Sequence, residues 1–144
     1  MTPVHHALNE YKQTNVDAGV AYADPHMLIT MLFDGLQERL SVAKGAIERR
    51  DFAVKGQAIG KAMDIIAYLQ ACLDKERGGD ISANLDALYE YLNACLLKAS
   101  TQNSTALLDE VSGLVKEIEL AWSEIRALVT KNPEHQDIPP TAAL

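Results

Sequence analysis

The stretch DPHMLITMLFDG (24–35) opens a helix and then carries apolar residues on two sides of it. Asp24 suits the N-cap, where its carboxylate accepts from an exposed amide of the first turn. Pro25 suits the first helical position, where no amide partner is lost. At about 100° per residue, Leu28, Leu32, Leu36, Leu40, Ala43 and Ile47 fall on one side, with Ile29 and Phe33 at its edge. Met27 and Met31 fall roughly opposite that side. One stripe is enough for a core, and the second asks for another partner.

The same reading extends along the chain. Proline is absent from 26 to 132, and the glycines fall mostly near helix ends. A first helix is expected over about 25–49 and a second over about 52–77, with Asp51 capping the second. The run RGGD (77–80) reads as a turn, its paired glycines ending one helix and Asp80 capping the next. A third helix over about 81–101 places Ile81, Leu85, Leu88, Leu92, Cys95, Leu96 and Ala99 on one face. TQNS (101–104) supplies turn and cap residues. A fourth helix, about 105–130, stacks Leu107, Val111, Leu114, Ile118, Ala121, Trp122, Ile125 and Val129.

Four amphipathic helices of similar length joined by short turns imply an all-α fold, an antiparallel up-down four-helix bundle. No segment alternates strictly as a strand would, and the apolar arcs are wider than a coiled-coil seam. The organisation expected is an N-terminal cap and linker (1–23) with a short helix at ALNEYKQ, the bundle (24–131), and a mobile tail (132–144) with three prolines and no apolar period.

Length and charge narrow the function classes. A chain of 144 residues buries roughly two thirds of its unfolded surface and needs no staple. The net charge of −7 and a pI near 5.0 argue against nucleic acid and anionic membrane as partners. No basic start precedes an apolar run at the N-terminus, and no stretch approaches the roughly 18 apolar residues of a membrane span. A cytoplasmic protein is expected. With a hairpin about Gly79, Cys72 and Cys95 stand about 14 Å out of register, so reduced thiols are expected.

No catalytic or cofactor pattern emerges. His5, His6, His26 and His135 avoid the central helices, whereas bundle di-metal sites need inward Glu and Glu-x-x-His pairs. No phosphate-binding glycine loop or nucleophile elbow occurs. Asp74 with Glu76, and Glu117 with Glu119, face different directions on a helix. No enzyme, metal or cofactor is expected.

The surplus apolar surface is the remaining signal. In the second helix Ile59, Ala62, Ile66, Leu69 and Leu73 make the main stripe, and Val54, Ile65, Tyr68 and Cys72 a second flank. Tyr91 and Leu97 lie off the main face of the third helix, and Leu120 off that of the fourth. Each alone is an ordinary exposed apolar residue or the edge of a wide core arc. Together they read as a helix-binding groove, which methionines suit because they adapt to varied apolar partners. Leu8, Tyr11 and Val16 then read as a displaceable cover for that groove, the plainer alternative being a fixed N-terminal segment.

From about Tyr11 to Val129 the chain resembles the FliS family of flagellar secretion chaperones. DPHMLITMLFDG (24–35), KGQAIGKAMDII (55–66), LDKERGGDISANLDALYEYL (73–92) and LLDEVSGLVKEIELAW (107–122) carry the resemblance, in order and at compatible spacing. It implies a helical bundle with an N-terminal cap that binds the disordered C-terminal segment of flagellin. It also implies that the chaperone prevents premature polymerisation and aids delivery to the flagellar type III export gate. On this resemblance Tyr11 matches the family's N-terminal tyrosine, Met27 and Met31 its first-helix motif, and Tyr89 and Tyr91 its LYxY motif. Phe33 stands where tyrosine is common, and NACLLKAST (93–101) replaces a more basic stretch, so charged contacts there are not carried over. The partner-binding set expected is Leu8, Tyr11, Val16, Met27, Met31, Ile65, Tyr68 and Tyr91. The alternative is a structural bundle whose surplus face supports weak homo-oligomerisation.

Overall fold

The computed structural model describes residues 25–131, with side-chain detail to residue 124. The cap and linker expected over 1–23 and the tail expected over 132–144 lie outside the described residues. Four helices follow one another: α1 (Pro25–Glu48), α2 (Phe52–Ala71), α3 (Lys75–Gln102) and α4 (Thr105–Lys131). Each lies against two others, α1 on α2 and α4, and α3 on α2 and α4. Cross-helix contacts run in opposite senses on the α1–α4 seam, Gln37 to Ser112 and Lys44 to Asp109, and on the α2–α3 seam, Lys55 to Ser100 and Gln70 to Asp86. With short turns between successive helices, the bundle is antiparallel and up-down. Among the described residues there is no strand.

The turns follow from local chemistry. Arg50 adopts φ +61 between α1 and α2, and the Asp51 carboxylate caps α2 by accepting from the Val54 amide at 3.3 Å. Between α3 and α4, Asn103 takes φ +52, a conformation its short polar side chain tolerates. Ser104 Oγ then accepts from the Leu107 amide at 3.2 Å to start α4.

The α2–α3 turn departs from expectation. Helix α2 ends at Ala71, not near 77, and the chain reverses through 72–74. Asp74 takes the N-cap role expected of Asp80, its carboxylate accepting from the Glu76 and Arg77 amides at 3.1 and 3.0 Å. Ser82 is buried and its hydroxyl donates to the Asp74 carbonyl at 3.0 Å, folding the first turn of α3 back on itself. The glycine pair still matters: Gly79, at φ +51 and ψ −128, breaks the helical path within α3. A side chain at that φ would be strained. Cys72 and Cys95 are both free thiols.

The core joins residues from all four helices. Leu32, Leu36, Leu40 and Ala43 from α1 meet Ile59, Ala62, Ile66 and Leu69 from α2, Leu92, Cys95, Leu96 and Ala99 from α3, and Val111, Ile118 and Trp122 from α4. Ile29 and Phe33, at the edge of the expected stripe, are also buried, as are Tyr89, Leu108 and Val115. Ile81 is the reverse case. Expected in the core, it is 64% exposed because it follows the Gly79 kink, with α2 already ended.

Two adjacent residues of α3 test this core. Leu96→Ala, at a fully buried position, lowers unfolding free energy by about 2–5 kcal/mol in urea denaturation. Leu97→Ala, at an exposed one, stays within about 0.5 kcal/mol of the parent.

Candidate functional site

With no catalytic constellation expected, the candidate site is the apolar surface that the core leaves over. Among the described residues no group of His, Cys, Asp and Glu is arranged to hold a metal ion. The cleft on the α1–α4 seam, lined by Gln37, Leu40, Lys44, Leu108, Asp109 and Ser112, has a volume of about 190 Å³. That is below the range of roughly 300–1,000 Å³ typical of small-molecule sites. The larger hollow over residues 71–76 at the α2–α3 turn, about 470 Å³, is an open surface depression.

Met27 and Met31 are half-buried, one turn apart on α1. At about 100° per residue they share its outer face with Asp34, Glu38 and Val42, all exposed. Tyr91 is 49% exposed on α3, with its hydroxyl donating to Glu110 Oε2 on α4. The Cys95 thiol lies 3.7 Å from the same oxygen. The bond to the Glu110 carboxylate pushes the Tyr91 phenol up. Leu97 on α3 and Leu120 on α4 are 59% and 58% exposed, as their off-face positions imply.

Two expected contact residues sit deeper. Ile65 is a core residue, 1% exposed, and not part of a surface flank. The reason is that α2 is covered by α1 on one side and α3 on the other, so its buried arc is wider than one stripe. Tyr68 is half-buried and packed against the core, near the Cys72 thiol. Leu8, Tyr11 and Val16 lie outside the described residues.

The structure therefore does not gather the expected residues into one groove. Met27 and Met31 belong to α1 and Tyr91 to α3, helices that stand diagonally across the bundle and share no seam. The leftover apolar residues, with Phe52 and Ile81 added, are distributed over all four helices. Polar links tie the seams between them. Gln37 Nε2 donates to the Ser112 carbonyl at 3.0 Å, and Ser112 Oγ donates back to Gln37 Oε1 at 2.7 Å. On the α2–α3 seam, Gln70 Nε2 donates to Asp86 and Glu90, both at 2.8 Å. The Gln70 bond and then Lys75 hold the Asp86 carboxyl below its ordinary range.

One contact had no signal in the sequence. His26 and Trp122, 96 residues apart, stack with ring centroids 3.9 Å apart and planes within 10°. A helical period orders residues around each helix but carries no register between helices, so this pairing cannot be read from spacing.

Comparison with known proteins adds the decisive observation. Residues 7–129 match the family model described as flagellar protein FliS. The chain belongs to the FliS family. It is 49% identical over 119 residues to the flagellar secretion chaperone FliSB of Pseudomonas aeruginosa, a match covering 83% of this chain and 94% of that one. It is 40% identical to the flagellar secretion chaperone FliS of Vibrio cholerae, covering 83% and 88% of the two chains. It is 42% identical to that of Salmonella typhimurium, covering 82% and 88%. The family is one of chaperones and not of enzymes, and a role in flagellar export follows for this chain. Among the described residues no helix is long and apolar enough to cross a membrane.

Burial of the tyrosines gives a pH test. Burial first, then the Cys72 thiol, pushes the Tyr68 phenol from 10.0 up to about 12, and burial pushes Tyr89 up as well. A raised folded-state pKa favours the neutral phenol in the fold. Its stabilisation is present below pH 10 and is lost as pH rises toward about 12. Thermal unfolding followed over that window shows a falling midpoint, and Tyr68→Phe flattens the fall.

Proposed function

We propose that this protein is a cytoplasmic export chaperone that binds the disordered C-terminal segment of flagellin, prevents its premature polymerisation and aids its delivery to the export gate of the flagellar type III apparatus. The observation that carries this reading is apolar surface left exposed on every helix of a bundle whose core is already complete. Membership of a flagellar chaperone family supplies the kind of client.

The dispersal of the anchors favours an extended client over a single docked helix. A disordered segment can wrap a large surface and fold as it binds, meeting Met27 and Met31 on one side and Tyr91 or Leu97 on others. The apolar gain must exceed an ordering cost of roughly 2–5 kcal/mol or more. While wrapped, the client's amphipathic helices are hidden from other flagellin molecules. No nucleotide and no cofactor takes part. In this reading Leu8, Tyr11 and Val16 form a cover that the client displaces.

Calorimetry with a flagellin C-terminal peptide tests the surface. Met31→Glu places a charge among the anchors and weakens binding at least about tenfold, the loss of one well-buried side chain, while circular dichroism stays helical. Unchanged affinity removes Met31 from the interface. Deleting residues 1–16 leaves the bundle folded and strengthens peptide binding. Collapse of the thermal transition instead makes that segment part of the core and not a cover.

A further inference from the structure

The ring of four helices has four seams, and connecting turns close three of them, at 49–51, 72–74 and 103–104. The α1–α4 seam joins the first described helix to the last and has no such turn. It is held by the core and by side-chain links at three levels: Lys44 with Asp109, Gln37 with Ser112, and His26 with Trp122.

The His26–Trp122 link is of a different kind from the other two. The rings stack, and each side chain also bonds the other residue's backbone. His26 Nε2 lies 3.0 Å from the Trp122 carbonyl oxygen, which only accepts, so Nε2 carries the proton and donates. Trp122 Nε1 donates to the His26 carbonyl at 3.1 Å, and Thr30 Oγ1 donates to that same carbonyl at 3.1 Å. Trp122 is buried in the core, so the clasp has a fixed anchor on α4.

What the clasp holds is the first turn of α1, where amides lack intrahelical partners and helices fray. Met27 is the next residue, and Met31 stands one turn further on the same outer face. We propose that His26 is a positioning residue: by clasping Trp122 it fixes the first two turns of α1 against α4 and so presents Met27 and Met31 to the client. This rests on the reading of the methionine face as part of the flagellin-binding surface.

The test uses the full chain, calorimetry with a flagellin C-terminal peptide, and amide hydrogen exchange. His26→Ala, which removes both the stack and the donor, weakens peptide binding about tenfold. It accelerates exchange at amides 27–33 and leaves the rest of the bundle protected. His26→Gln, which keeps an N–H donor for the Trp122 carbonyl, recovers part of the affinity. Lys44→Ala, which breaks the exposed link at the other end of the same seam, leaves affinity within about twofold, as the loss of a surface ion pair does. The proposal is overturned if His26→Ala accelerates exchange at 27–33 yet binds as the parent does, or if Lys44→Ala weakens binding as much. If the parent chain itself does not bind the peptide, the flagellin reading fails on its own account. Exchange then decides the clasp: acceleration confined to 27–33 supports it, and none or a global one overturns it.

Discussion

Each helix of this chain buries apolar residues against two neighbours at once, and the rest of the structure depends on that demand. A helix with one partner needs a narrow stripe, but a member of a closed four-helix ring needs a broad arc. Hence Ile65 and Ile66 are both fully buried on α2, and Ile29 and Phe33 are buried on α1 along with Leu32 and Leu36. Once these arcs are filled, little apolar surface remains on any one helix. What remains is spread around the bundle and not collected in a cleft.

That distribution links packing to function. A rigid globular partner needs a continuous patch, whereas a disordered chain can reach separated anchors and order itself between them. The core is joined across all four helices and is independent of the exposed residues. Under the proposed function, a client is therefore gained and lost without unfolding its carrier. The polar links on the seams, Gln37 with Ser112 and Gln70 with Asp86 and Glu90, join helices outside the apolar core.

Much of this was legible in the periodicity. The leucines of α1, the breaks after Glu48 and Gln102, and the off-face positions of Tyr91, Leu97 and Leu120 follow from a 100° step and from capping chemistry. Three features were not. The glycine pair points to Asp80 as the cap of α3, whereas Asp74 holds that place and Ser82 donates to its carbonyl. Moving that turn brings Ile81 out of the core. Ile65 looked like surplus because a stripe model underestimates the arc that a ring of helices covers. The stack of His26 on Trp122 depends on axial register between helices, which no single helix encodes.

The central claim is that a finished bundle offers scattered apolar anchors to a chain that folds upon it. Hydrogen exchange of the protein with and without a flagellin C-terminal peptide tests this most directly. The account predicts new protection in the peptide as it becomes helical, and at outer positions on at least α1 and α3 around Met31 and Tyr91, with the amides around Leu36, Ile66 and Leu96 unchanged. A bound peptide that stays unprotected, or protection confined to a single helix, would contradict it.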